Sequence, residues 1–161
     1  MDEQSVETPQ PRYQHGHFQL IAGLAAQYTQ ETSKDIPALW EKFTPHIGNV
    51  PGQKGDETYG VCFNFDGKGG FDYVAGVEIS KLDDLPETYR WVEVQPQLYA
   101  VFEHKGPLDT LPQLFQYIFD TWVPQSGHQV LDAPELERYS EDFNPKLNTG
   151  VLEIWLPLKP D

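Results

Sequence analysis

Cysteine is almost absent from this chain. Cys62 stands alone among 161 residues, which excludes an internal disulfide and any CxxC metal or redox pair. Basic residues are scarce as well. Eleven Lys and Arg face 25 Asp and Glu, a formal net charge of −14 that repels phosphate backbones, so no direct nucleic-acid partner is expected. No apolar run approaches the ~18 residues needed to span a bilayer, so no membrane partner is expected either. The opening MDEQSVETPQPRYQ has neither the basic nor the apolar region of a secretory signal, which predicts a cytoplasmic protein. The five histidines lack metal-ligand spacing and no Cys or carboxylate completes a set, so neither metal nor cofactor is expected. GKGG (67–70) lacks the GxxxxGK[ST] pattern and reads as a hairpin turn, and Ser126 has no GxSxG elbow.

What the chain does contain is apolar and aromatic surface. Hydrophobic residues make up 39% and aromatic rings 13%, enough for one core and a ring-lined pocket. Residues 1–16 are polar and predict a flexible tail. FQLIAGLAAQYT (18–29) predicts a strand. In SKDIPALWEKFTPHIG (33–48), Ser33 is a candidate N-cap, Pro37 a first-turn proline, and Ile36, Leu39, Trp40 and Phe43 share a face, which predicts a helix. ETYGVCFNF (57–65) and FDYVAGVEIS (71–80) flank DGKGG as a hairpin, with Cys62 as a buried apolar residue in mid-strand. Residues 81–89 read as a connector. QLYAVFEHKG (97–106) is again a strand. PLDTLPQLFQYIFDTWVPQSG (107–127) is a helix that buries Leu111, Leu114, Phe115, Ile118, Phe119 and Trp122. ELERYSED (135–142) and GVLEIWLPLK (150–159) are strands.

The order therefore recurs. IPALW (36–40) matches LPQLF (111–115), and GVEIS (76–80) matches VLEIW (151–155), both at an offset of 75 residues. Equal offsets for a helix and a strand predict a duplicated strand-helix-strand-strand unit, with pseudo-repeats 17–80 and 95–159. The expected fold is α+β: one domain over 17–159, about eight antiparallel strands, two main helices on one face, and a groove where the halves meet.

Several short segments resemble the GyrI-like small-molecule-binding domain, which also serves as the effector-binding module of some AraC-type and MerR-type multidrug-sensing regulators. They are Tyr99-Ala100-Val101-Phe102 with Gly106, Trp122-x-Pro124-x-Ser126-Gly127, Tyr139, and Glu153-Ile154-Trp155-x-Pro157. Tyr59-Gly60-Val61-Cys62 and the segment from Phe71-Asp72-Tyr73 to Gly76 add to them. The resemblance covers residues 17–159, and with no helix-turn-helix beside them it implies a stand-alone version. It also implies a glutamate on the closing strand at the centre of the groove, a position that Glu153 matches.

The residues themselves point to Glu153 too. In GVLEIWLPL a carboxylate interrupts an apolar run and shares a strand face with Val151 and Trp155. An acid beside an indole suits an organic cation, whose charge pairs with the acid while its flat body stacks on rings. Tyr59, Trp91, Tyr139 and Trp155 are candidate wall residues, with Trp40 and Phe119 contributed by the flanking helices. Glu78, the duplicate of Glu153, ranks below it. The expected function is binding of hydrophobic cationic compounds or drugs, as sensor, carrier or sequestering protein. The resemblance to the GyrI-like family implies two alternatives beside it: hydrolysis of cyclopropane-bearing xenobiotics by the groove glutamate, and inhibition of a protein target, as in relatives that counteract DNA gyrase.

Overall fold

A computed structural model describes residues 10–104, 110–140 and 151–160. Eight strands form one antiparallel sheet: β1 (Arg12–His15), β2 (Gln19–Tyr28), β3 (Thr58–Phe63), β4 (Phe71–Ile79), β5 (Arg90–Val94), β6 (Leu98–His104), β7 (Glu135–Tyr139) and β8 (Leu152–Pro157). Their order across the sheet is β1-β6-β8-β7-β3-β4-β2-β5. Helix α1 (Ile36–Phe43) follows β2, and α2 (Leu111–Tyr117) follows β6. A π-helical turn (Ile118–Trp122) and α3 (Val123–Ser126) continue the second helix. No described helix is long and apolar enough to cross a membrane.

The strand order is a palindrome. If β1 corresponds to β5, β2 to β6, β3 to β7 and β4 to β8, the sheet reads the same from either edge. Val61 and Leu136, 75 residues apart, are register partners, so the pseudo-twofold axis passes through that pair. α1 and α2 begin at Ile36 and Leu111, again 75 apart. The repeat is larger than the four-element unit expected, because each half also has a leading edge strand. These edge strands are exchanged: β1 pairs with β6 of the second half, and β5 with β2 of the first.

That exchange corrects the flexible tail expected over residues 1–16. Residues 1–9 lie outside the described residues, whereas Arg12–His15 form β1 through backbone pairing with Leu98–Val101. Its four side chains are all exposed, so RYQH carries no apolar pattern to announce a strand. Main-chain hydrogen bonds to the open edge of β6 hold it there.

Directly opposed residues of antiparallel strands project to the same face, so the register sorts the two sheet faces. One face carries Ile21, Tyr59, Val61, Val74, Val92, Tyr99, Val101, Leu136 and Trp155, a buried cluster without any helix residue. The other is covered by helices. Leu39 and Phe43 of α1 pack on Ala22, Tyr73, Ala75, Val77 and Ile79. Leu114, Ile118 and Trp122 pack on Phe102, Leu152, Ile154 and Leu156. Trp40 belongs to both helix-side clusters and bridges the halves.

The buried stripe expected on the second helix holds at Leu114, Ile118 and Trp122 but not at Phe119, which is 41% exposed. On a helix Phe119 lies about a quarter turn from the fully buried Ile118, at the margin of the stripe, and so faces solvent.

Candidate functional site

The helix-free face carries the expected glutamate. Glu153 on β8 lies there beside Trp155, whose indole Nε1–H donates to Glu153 Oε1 at 3.0 Å. Both carboxylate oxygens already have cationic partners. Arg12 Nη2 donates to Oε2 at 2.8 Å, and Arg138 Nη1 to Oε1 at 3.4 Å. The Arg12 guanidinium also lies 5.9 Å from the centre of the Trp155 ring. The chain's own Arg12 thus makes the charge pair and the cation–π contact that a ligand was expected to make. Arg138 continues the chain to Glu57 at 2.9 Å and holds that carboxyl below its ordinary range. A shallow depression of about 320 Å³, lined by Glu57, Arg138, Ser140, Val151 and Glu153, opens beside them. Glu78 has a comparable setting in the first half, with Gln19 Nε2 at 3.2 Å and Lys54 Nζ at 3.5 Å.

The opposite face holds a different acid. Glu137 lies on β7, one residue from the pseudo-twofold pair, under the helix layer. Tyr73 donates to Glu137 Oε1 at 2.8 Å, and Tyr139 to the same atom at 3.0 Å. Trp40 Nε1–H in turn donates to the Tyr73 hydroxyl at 2.9 Å, and its ring meets Tyr139 edge-on at 5.1 Å. Two β strands and α1, drawn from both halves, therefore converge on one carboxylate. No cationic side chain among the described residues lies within ion-pair distance of it, and its Oε2 accepts no hydrogen bond from any of them. Burial pushes the Glu137 carboxyl above its ordinary value, against the two tyrosine hydrogen bonds that favour the charged form.

Room for this arrangement comes from Gly60, the register partner of Glu137 on β3. A Cβ at residue 60 would collide with the Tyr73 hydroxyl and the Glu137 carboxylate. Two residues before Glu137, on the same face, stands Glu135, whose carboxyl is raised to about 7 by burial and then by its neighbour Glu137. Cys62, opposite Glu135, is partly buried, and its thiol is pushed up by burial and by the two acids.

The expected site residues consequently divide. Tyr59, Glu153 and Trp155 share the helix-free face, and Tyr59 accepts a 3.4 Å contact from Gln19 Nε2. Trp40 and Tyr139 lie on the helix side with Tyr73. Trp91 joins neither group. It sits on the outer edge strand β5, 45% exposed, in a separate depression with Leu82, Leu85 and Tyr89. Phe119 points to solvent. Glu137, Tyr73 and Gly60 went unrecognised as site residues, although period-two alternation in ELERY places Glu135, Glu137 and Tyr139 on one strand face.

Residues 19–159 match the family model of the GyrI-like small molecule binding domain. The transcriptional regulator BrlR of Pseudomonas aeruginosa is 30% identical over 125 residues, which are 76% of this chain and 46% of that protein. The chain thus spans about half the length of this relative. Among solved structures, SAV2435 bound to tetraphenylphosphonium superimposes with a TM-score of 0.77 at 19% identity, covering 92% of this chain and 93% of that one. The Vibrio cholerae integron cassette protein VCH_CASS2 gives a TM-score of 0.70 at 19% identity, covering 93% and 96%. At these identities the two structures establish a shared fold.

Proposed function

The chain belongs to the GyrI-like small-molecule-binding family, and on that premise we propose that it binds hydrophobic organic cations at Glu137, between the two helices. The observation that carries the reading is a partly buried carboxylate on the helix side of the sheet, with two phenol donors and no cationic partner among the described residues. A buried charge without a countercharge costs several kcal/mol, and a ligand cation would remove that cost on arrival. Trp40, Tyr73 and Tyr139 supply the ring faces and edges that favour a flat or aryl-bearing cation. Glu153 is a poorer seat by the same reasoning, because Arg12 and Arg138 already occupy both of its oxygens. The tetraphenylphosphonium held by the SAV2435 structure is the natural probe.

Titration with tetraphenylphosphonium, followed by calorimetry, tests the reading. Roughly micromolar affinity, about −8 kcal/mol, is expected for the unmodified chain. Glu137→Gln keeps the shape and removes the charge, and is expected to weaken binding at least ~30-fold, about 2 kcal/mol. Glu153→Gln is expected to leave affinity within about threefold, since it touches only the ion pairs of the other face. Loss of binding in Glu153→Gln with none in Glu137→Gln would return the seat to the helix-free face.

The raised carboxyl of Glu137 beside two phenols also supports a second reading, hydrolysis of a bound strained ring with Glu137 as general base. Product formation from a cyclopropane-bearing compound that stops in Glu137→Gln would favour it. Unchanged compound after prolonged incubation would leave binding alone.

A further inference from the structure

The outer edge of the sheet at β5 takes no part in the seat at Glu137. β5 ends the strand order and pairs only with β2, and the outward N–H and C=O groups of Arg90–Val94 bond to no described residue. Trp91 on this strand is 45% exposed and makes neither a ring contact nor a hydrogen bond with any described residue. At the opposite edge Tyr13 of β1 is exposed as well, but it rests against His128 and Trp122, with ring centroids 5.3 and 6.5 Å away. Beside Trp91 lies a depression of about 460 Å³, lined by Leu82, Leu85, Glu87, Tyr89 and Arg90 as well as the indole.

Register and charge say what would fill it. Trp91 and Glu93 stand opposite Ala22 and Leu20, so both project to the helix side. Phe18, one residue before β2 and 45% exposed, extends that row past Glu93. The row therefore runs aromatic, acidic, aromatic. Around it Asp83, Asp84, Glu87 and Glu93 outnumber Lys81 and Arg90, and Lys81 already lies 4.0 Å from Asp84. Glu93 keeps only a 3.3 Å contact from the Gln95 amide.

We propose that β5 is a docking edge for an extended peptide segment of a partner protein. Added as a further strand, the segment places every second side chain on the helix side. An apolar side chain enters the depression beside Trp91, a Lys or Arg two residues along meets Glu93, and a second apolar side chain lies toward Phe18. Main-chain hydrogen bonds to the open edge supply affinity whatever the sequence, while the depression and Glu93 select. Charges on an edge strand deter unmatched strands, so a complementary cation is what distinguishes the intended segment. This edge is independent of the Glu137 seat.

The probe is a capped synthetic peptide in which isoleucine, lysine and isoleucine alternate with threonine, titrated into the full chain and followed by tryptophan fluorescence. A Kd of about 10–100 μM is expected. Methylating the peptide's backbone nitrogens on the pairing side, or exchanging its lysine for glutamate, should each weaken binding at least about tenfold. Trp91→Ala should weaken it as much, with tetraphenylphosphonium affinity kept within about threefold as the sign of an intact fold. Glu93→Lys, at an exposed position, should reverse the preference, so that the glutamate peptide binds better than the lysine peptide. Hydrogen exchange should slow over Arg90–Val94 on peptide addition and stay unchanged in β1. Equal binding of the lysine and glutamate peptides, indifference to backbone methylation, or protection confined to β1 would overturn the proposal. Concentration-dependent dimerisation of the chain alone that Trp91→Ala abolishes would overturn it too, by giving the edge to a second copy.

Discussion

Gly60 faces Glu137 across the central strand pair, and the space its missing side chain leaves is filled by the Tyr73 hydroxyl and the Glu137 carboxylate. A close approach of this kind on a strand is a reason for glycine in an element that otherwise disfavours it. Gly60→Ala is therefore expected to break the Tyr73–Glu137 hydrogen bond while leaving the sheet paired. Stability should fall by about 1–3 kcal/mol, since a buried acceptor loses one of its donors. Cation affinity should fall with it. Chemical denaturation and a tetraphenylphosphonium titration check both effects, and wild-type behaviour in both would mean that the crowding at residue 60 has no consequence.

The acids of β7 give the protein a pH signature. Burial, and then the neighbouring Glu137, raise the Glu135 carboxyl to about 7 from its ordinary 4.5. Between those values the folded chain binds more protons than the unfolded chain, so this group makes stability fall as pH rises from about 4.5 to 7, after which its effect levels off. The shift corresponds to about 3 kcal/mol at most. Glu137, raised by burial, acts in the same direction. Glu135→Gln is expected to flatten this part of the pH profile and to raise the melting temperature at pH 8. An unchanged profile would mean that Glu135 is solvated in solution.

On the helix-free face, Arg12 fastens the edge strand β1 to Glu153 at 2.8 Å. Arg12→Ala should cost about 0.5–1 kcal/mol, the scale of a half-exposed ion pair, and should speed hydrogen exchange in β6 around Leu98–Val101, where β1 pairs. Cation affinity should hardly change, because the proposed seat lies on the other face.

Trp40 is the reporter for the seat. Its indole bonds to Tyr73 and meets Tyr139 edge-on, while Trp91 lies at the β5 edge, Trp155 on the other face, and Trp122 packs on Phe102. Trp40→Phe is expected to remove most of the cation-induced change in tryptophan fluorescence while reducing affinity no more than about tenfold, the worth of one indole hydrogen bond. A full fluorescence response in that variant would place the ligand near another tryptophan.

Much of the architecture was legible in the sequence because it is written in periodicity. The apolar stripe of residues 36–43 and the alternation flanking DGKGG correspond to α1 and the β3–β4 hairpin. The 75-residue offset, first read from IPALW and LPQLF, reappears in the register pair Val61–Leu136. β1 was invisible because its exposed side chains carry no apolar pattern, and β5, RWVEV, was passed over beside the connector. The site divided for a related reason. An acid inside the apolar run GVLEIWLPL draws the eye to Glu153, yet its partners Arg12 and Arg138 are 141 and 15 residues away, a pairing that only the fold produces. Glu137 sits in the charged stretch ELER, which reads as a solvated strand. Its partial withdrawal from solvent arises from long-range contact: Tyr73, 64 residues distant, bonds to it, and Trp40 of α1 bonds to that tyrosine. Alternation could place Glu137 on the face of Tyr139 but could not say that this face is covered.

The most direct measurement is a crystal structure with tetraphenylarsonium, whose arsenic marks the cation by anomalous scattering. The account predicts one strong anomalous peak within about 6 Å of the Glu137 carboxylate, between Trp40 and Tyr139. A peak beside Glu153 and Trp155 on the helix-free face, with the helix side unoccupied, would contradict it.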